Sequence, residues 1–549
     1  MRIAVVADGE GGGWLRRLGA DAFPVRRVTD LADEVRRLEH AGPLPPRWVW
    51  SAGEDVYPEL VRAGVRVARC HDVSLTEGLL LGHHGRHGEA RSLGAVWARL
   101  HGLPVPDDPV PPAGEGSAAQ PALFEADRST LPPGTDRLAA LIDVYDDQRR
   151  RTAELPRPGR MRLLGAVESA GGLAAAEMSH DGLPWRPAVH DEILTELLGP
   201  RPSAGQRPPV LADLAARIGE AVGREVNPDS PAQVLRAMAW IGHPVASTRS
   251  WVLEQVDHPV VPLLLRYKEL SRLHAANGWS WLESWVRERP GPDGERLGRF
   301  HPGYVVGGVV SGRWAAHGGG ALQIPKSVRR AVRADPGWTL VRADAGQLEP
   351  RVLAAVSGDD ALAAAAADED LYARLAVHVG GDRERAKIGM LAAMYGQTSG
   401  DAAPLLRTMR RLYPRALDYV DTAARTGEDG SAVRSWLGRT SPVPPETGDE
   451  RRRRAQGRFT RNFVVQATAA EWALVLLAAL RQGLPDLPEG AGIVFFVHDE
   501  VVLHVPREAA QEAVAAVRAA AERARTTLFG DTPVRFPMDT TVTDDYADT

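Results

Sequence analysis

The chain has 549 residues, too many for one hydrophobic core, so two to four domains are expected. With 44% hydrophobic and 25% charged residues and a net charge of −5, it is neither a disordered chain nor a strongly basic nucleic-acid binder; any nucleic-acid contact has to come from local basic patches. Cys70 is the only cysteine, which excludes an intrachain disulfide framework or a cysteine-based zinc site and fits a cytosolic setting.

In chain order, MRIAVVADGEGGG reads as a buried first strand rather than a signal peptide, and no stretch approaches the ~20 apolar residues of a membrane helix. Strand-like runs (RIAVVAD, RWVWSAG, VRVARC) alternate with helical ones (DLADEVRRLEHA, YPELVRAG) over the first hundred residues, predicting a small α/β domain. A Pro/Gly-rich stretch at 103–122 reads as a linker or surface loop. Residues 136–290 read as nearly all helical, with cap and break signals at Asn227-Pro228-Asp229-Ser230 and Asp257-His258-Pro259. After Gly303, apolar strands alternate with long Ala/Leu/Arg helices.

WTLVRAD predicts a buried strand ending at Asp344; it breaks at Ala345-Gly346 and enters a helix whose first turn accepts Pro350. GIVFFVHDEVVLHV predicts a β-hairpin with His498-Asp499-Glu500 at its tip, where Gly or Asn would turn the chain more cheaply. Taken singly, Asp344 reads as well as a helix-start residue, and the hairpin tip as a solvated turn. Taken together, two Asp residues at strand ends can share hard divalent cations, and two such cations serve phosphoryl transfer.

Asp382 is a plausible N-cap, and Arg383, Lys387, Leu391 and Tyr395 follow at i+4 steps on one stripe, suited to phosphates at one end and a base at the other. In RRRRAQGRFTRNFVVQATAAEW, Arg458, Asn462 and Gln466 repeat the i+4 spacing, while Arg451–Arg454 and Arg461 thicken the charge. Amides there suit sequence-blind minor-groove contacts and arginines suit phosphates.

These blocks resemble the motifs of DNA polymerase I, family A. VRADAGQLEPRVLAAVSGD resembles its first polymerase motif, RERAKIGMLAAMYGQTS its second and FFVHDEVVLHVP its third. SGRWAAHGGGALQIP resembles the segment before the first motif, RNFVVQATAAEW the minor-groove helix, and NPDSPAQVLRAM with HPVVPLLLRYKELSRLHAANG the thumb; the resemblance covers about residues 140–549. It implies an α/β and α+β multidomain fold. A ribonuclease H-like, 3′–5′ exonuclease-like domain (1–135) would precede the thumb and start of the palm (136–300), then palm and fingers (301–549). It also implies a DNA-directed DNA polymerase using two Mg²⁺ ions (Mn²⁺ able to substitute), dNTPs and primer–template DNA. The protein would be a monomer, cytoplasmic and nucleoid-associated, with no membrane partner and no 5′-nuclease domain.

By the same resemblance, Asp344 and Asp499 would bind the metals with the Ala345 carbonyl, and Glu500 would stand close by as a catalytic acid. Arg383 and Lys387 would hold the triphosphate, with Lys387 protonating pyrophosphate. Glu349 would exclude ribonucleotides, Tyr395 would stack near the templating pair, and Gln347, Leu391 and His498 would border the nucleotide. Arg313, Gln323, Arg458, Asn462 and Gln466 would contact DNA. The chain departs from the family at Leu391, where an aromatic is usual, at Ala345, and at Pro350.

YPELVRAGVRVARCHDVSLTEGLLLG resembles part of the family's proofreading domain. Asp8-Gly9-Glu10 could supply its Asp-x-Glu pair, but Asp55 is off register for the second carboxylate and no Tyr stands four residues before an Asp in 138–147. Losing one carboxylate should cripple two-metal hydrolysis, so a vestigial domain is expected. The alternatives are an active exonuclease at Asp8 and Glu10, a single-subunit RNA polymerase, which Glu349 opposes, and a non-catalytic DNA-binding relic, which needs no metal dyad.

Overall fold

A computed structural model describes residues 1–19, 24–109, 130–203, 205–291, 294–317, 320, 324–396, 402–444, 449–484, 488 and 490–547. The expected linker at 103–122 lies mostly outside the described residues.

The N-terminal sheet contains β1 (Arg2–Ala7), β2 (Gly13–Leu18), β3 (Arg26–Val28), β4 (Arg47–Trp50) and β5 (Arg69–Asp72), in the order β3-β2-β1-β4-β5. The first three strands run antiparallel, and β4 and β5 run parallel to β1. The central β1 is apolar on both faces (Ile3, Ala4 and Val5 are all buried), as a strand covered on both sides must be. Sequence reading misplaced β5 at 65–70. Val65 and Val67 are buried, but the Val65 N–H caps the preceding helix through Leu60 O and the Val67 N–H donates to the Tyr57 hydroxyl, so neither joins the ladder. The strand β2 and the short polar edge strand β3 carry too little alternation to be read from sequence.

Helix α1 (Pro158–Asp181) packs between this sheet and the C-terminal region. Its buried Glu177 accepts from Arg481 Nε at 2.8 Å and from the Tyr57 hydroxyl, joining the first and last thirds of the chain. Beyond α1, helices 187–198, 209–222, 231–240 and 260–277 share a second core with a small sheet. That sheet comprises β6 (Leu183–Trp185), β7 (Val286–Pro290) and β8 (Arg296–Phe300), in the order β6-β8-β7. Ser230 does cap its helix, accepting from Gln233 N. β9 (Gly303–Val305) pairs with β10 (Ala315–His317).

The sheet that carries the candidate site is antiparallel throughout: β11 (Trp338–Ala345), β12 (Gly492–Val497), β13 (Glu500–Pro506) and β14 (Met538–Thr543), ordered β12-β13-β11-β14. Around it lie α2 (Leu348–Ser357), α3 (Arg383–Tyr395), α4 (Pro414–Glu428), α5 (Glu450–Gly483) and α6 (Ala510–Phe529). Contrary to the sequence expectation, α5 holds an 18-residue window of mean hydropathy 1.8, apolar and long enough to cross a membrane; 83% of it is buried inside the protein, so it is a core helix.

Candidate active site

The register of one strand pair assembles the two Asp residues. β11 runs antiparallel to β13 with Asp344 opposite Glu500, so the residue before Glu500 meets the end of β11, and the Ala345 N–H donates to the Asp499 carbonyl at 3.0 Å. The hairpin closes through His498 at φ 56°, and the exit from β11 through Gln347 at φ 60°. Both are left-handed conformations that cost a non-glycine residue on the order of 1 kcal/mol, and they flank the Asp pair on either side.

Burial first, then the neighbouring Asp499 and Glu500, push the Asp344 carboxyl from its ordinary 3.8 up to about 6. Burial also raises Asp499, with Glu349 adding to the effect. Glu500, read from sequence as a third catalytic acid, stands opposite Asp344 and is held there, accepting from Arg342 Nε at 2.6 Å and from the Tyr546 hydroxyl. Two like-charged, half-buried carboxyls therefore face the same space, only partly offset by Arg342 on one side and Arg313 on the other.

Above the pair, Glu349 in the first turn of α2 accepts from Arg313 and, at 2.5 Å, from the Tyr395 hydroxyl. The adjoining cleft is lined by Gly312, Trp314, Phe496, His498, Asp499 and the small residues of α5, of which Ala470 is one. Thus Arg313, Glu349, Tyr395, His498, Asp344 and Asp499, distant in sequence, come to one place.

Asp382 caps α3, accepting from the amides of Glu384 and Arg385. Arg383 and Lys387 stand exposed on its first turns; Arg383 Nε donates to Asp370 at 2.7 Å and Lys387 lies 3.9 Å from Glu384. Leu391 and Tyr395 are half-buried further along. Gln347 reaches the stripe through Asp370, the carboxylate that also holds Arg383. The Gln347 amide donates to Asp370 at 2.9 Å and accepts from Leu371 N, fixing the start of helix 371–376. Asp370 was not singled out from sequence, although an acid before LYARLA is an N-cap signal.

On α5, Arg458 is exposed and Asn462 and Gln466 are half-buried on the same stripe. Among the described residues the buried Asn462 carbonyl oxygen has no hydrogen-bond partner, an open acceptor on that stripe. Arg461, expected to add to a phosphate-binding face, is instead buried: it donates to the Met394 and Ala393 carbonyls and to Asp421, closing the C-terminal end of α3. Gln323 lies outside the described residues.

In the first domain, Asp8 accepts from the Glu10 and Gly12 amides at 2.9 Å, which makes it a turn former, and Glu10 is exposed at the loop tip. The buried Asp72 caps helix 73–83 through Leu75 N and accepts from Gly53 N; burial pushes its carboxyl up to about 7.

Among the described residues, no three His, Cys, Asp or Glu side chains are placed to cage a metal ion. The pair of neighbouring carboxyls nonetheless suits a hard cation that takes one or two carboxylates and completes its shell with water and substrate phosphates. The sign of the pH dependence follows from the raised Asp344. In the folded state it stays protonated up to about 6, against 3.8 when unfolded, so its repulsion is absent below the lower value and complete above the upper. Mg²⁺ is therefore expected to raise the melting temperature at pH 7.5 and not at pH 4, with Asp499→Ala abolishing the rise. Thermal scans check this; an equal rise at both pH values would show binding elsewhere.

A family model described as DNA polymerase family A matches residues 208–548. The thermostable DNA polymerase I of Thermus filiformis is 28% identical over 308 residues, covering 51% of this chain and 36% of that protein. DNA polymerase I of Deinococcus radiodurans is 26% identical over 347 residues, covering 56% and 35%. The chain thus spans just over a third of the length of the curated relatives it matches. In fold it is similar to the POL domain of Pol1 from M. smegmatis, solved in complex with DNA primer-template and dNTP. The TM-score is 0.73 over 100% of this chain and 95% of that one, at 20% identity.

Proposed function

The chain belongs to DNA polymerase family A, and on that premise we propose that it is a DNA-directed DNA polymerase adding dNTPs to a primer 3′ end. The observation that carries this reading is the placement of Asp344 and Asp499 side by side at adjacent strand ends, where burial raises both carboxyls. They, with the Ala345 carbonyl, would hold two Mg²⁺ ions (Mn²⁺ able to substitute). When bound, such ions supply charge neutralisation on the attacking and leaving oxygens.

The chain's own residues do the rest. Arg383 and Lys387, exposed on the first turns of α3, bind the triphosphate, and Lys387 Nζ delivers a proton to the departing pyrophosphate. Glu349, held by Arg313 and Tyr395, stands where a 2′-hydroxyl would compete for its carboxylate. Arg458, Asn462 and Gln466 contact the primer–template as one stripe of α5. Residues 1–135 form a proofreading-like domain without proofreading, 136–300 the thumb and start of the palm, and 301–549 the palm and fingers. The strand order β3-β2-β1-β4-β5 supports a ribonuclease H-like first domain, and the use of Asp8 and Asp72 as a turn former and a cap supports its inactivity.

The test is primer extension with Mg²⁺, dNTPs and, in parallel, NTPs, beside a mismatched 3′ end incubated without nucleotide. Extension with dNTPs alone and an untouched mismatch are expected. No extension leaves a DNA-binding relic; preference for NTPs makes it an RNA polymerase; trimming of the mismatch restores the exonuclease.

A further inference from the structure

Helix 371–376 begins at Asp370, whose two carboxylate oxygens serve different partners. Oδ1 accepts from the Tyr372 and Ala373 amides, at 2.9 and 3.2 Å, and from the Gln347 side-chain amide at 2.9 Å. Oδ2 accepts from Arg383 Nε at 2.7 Å. A helix cap needs only the backbone bonds of the first set, and serine, threonine or asparagine would accept them as well. The second oxygen is what calls for a carboxylate. Against its burial, the Arg383 bond holds the Asp370 carboxyl below its ordinary 3.8, and the same bond raises Arg383.

The other end of this link is the exit of β11. Gln347, three residues past Asp344, is fixed in its left-handed turn: its side-chain oxygen accepts from Leu371 N at 2.9 Å while its nitrogen donates to Asp370. Just ahead of Asp370, Arg351 gathers the carbonyls of Ala366, Asp368 and Glu369. Arg383 is therefore tied, through Asp370 and Gln347, to the strand end that carries Asp344, although it stands exposed on another helix. Its guanidinium also lies 5.6 Å above the ring of the buried Tyr372, within cation–π range.

The point of attachment matters. Nε is the inner nitrogen of the guanidinium, so the bond to Asp370 leaves both terminal nitrogens outside it; Nη1 lies 3.5 Å from the exposed Glu384. Phosphate recognition uses such a fork of parallel donors. A free arginine would have to be ordered as the ligand arrives, whereas one tied at Nε and set over a ring is ordered beforehand. Resting on the polymerase reading above, we propose that Asp370 is a positioning residue for the triphosphate, which presets the Arg383 fork relative to the Asp344 strand end through Oδ2 and Gln347.

The variant that isolates Oδ2 is Asp370→Asn. With its oxygen kept on the cap amides, its NH₂ meets Arg383 Nε–H donor against donor, so the cap survives and the pair does not. Asp370→Ser, which also caps, is the second variant. The experiment measures equilibrium binding of a dNTP, in Mg²⁺, to the full chain on a primer–template whose primer ends in a dideoxynucleotide. Single-turnover extension is measured beside it on an unblocked primer. Asp370→Asn is expected to melt at the wild-type temperature and to bind dNTP about fivefold more weakly, as ordering one long side chain on binding requires. Its maximal extension rate should stay within about twofold, since the contact is made equally before and during the reaction. In an Arg383→Ala background the same substitution should change binding by less than about twofold, because no fork remains to position. A wild type that binds dNTP and does not extend would fault the polymerase reading, and the binding series alone would then decide the proposal. Four outcomes overturn it: no dNTP binding by the wild type, unchanged or tighter binding by Asp370→Asn, the same loss in the Arg383→Ala background, or a large fall in melting temperature in both the Asn and Ser variants, which would make Asp370 a cap alone.

Discussion

Asp499→Ala is expected to lower primer extension by at least about 10³-fold, with the melting temperature in Mg²⁺-free buffer unchanged or higher. The two halves of the expectation share one cause. Asp344 and Asp499 are held at adjacent strand ends by the Ala345–Asp499 backbone bond, which the substitution keeps, so the fold retains its register. What is lost is the carboxyl that, after burial, does most to push Asp344 up to about 6. At pH 7.5 Asp344 is ionised beside a second carboxyl that burial also raises. Removing one relieves about 1 kcal/mol once solvent screening of these half-exposed groups is allowed for. A site that is destabilising without its cation and required for turnover is the signature of function held against stability. Extension rates with matched primer–template affinity measure the first half, thermal scans the second. Loss of activity with a large fall in melting temperature would make Asp499 a structural residue instead.

Arg351→Met is expected to show the opposite pattern: a loss of about 5 kcal/mol, or roughly 10 °C or more in melting temperature, and loss of activity only through unfolding. Arg351 is fully buried, and its guanidinium donates to the backbone carbonyls of Gly346, Ala366, Asp368, Glu369 and Arg535. Burial lowers it to about 10, so it remains charged at neutral pH. Methionine fills the volume of the stem but leaves five carbonyls facing an apolar side chain, at ~1–3 kcal/mol for each that water cannot reach. The segment released is the one that positions Asp370 against Arg383 and Gln347. Hydrogen exchange across 364–372 should rise before global melting; protection retained there would show that the carbonyls find other partners.

Much of the candidate site was legible because its signals are local. The apolar run WTLVRAD with a break after it, the two apolar runs around His498-Asp499-Glu500 and the i+4 stripes on α3 and α5 each state an element and a face within about a dozen residues. Asp382 as a cap followed from the same local chemistry. What failed was partner choice. Glu500 and Arg461 are charged residues in motif-dense segments, yet each turns to a partner that no spacing rule could name: Tyr546 and Arg342 for one, the end of α3 and Asp421 for the other. The Gln347–Asp370–Arg383 link escaped sequence reading for the same reason, since Asp370 lies 23 residues beyond Gln347.

The sequence by itself determined the strand-and-helix order of the C-terminal half, the position of Asp344 and Asp499 at strand ends and the family resemblance, because periodicity, caps and turn residues act over neighbouring positions. The tertiary structure alone decided that those two carboxyls share one space, that Glu500 beside them is held by Arg342 and Tyr546, and that α5 is a core helix. Convergence of residues more than a hundred positions apart depends on strand register and helix packing, which are properties of the whole buried core and are written in no single stretch of the chain.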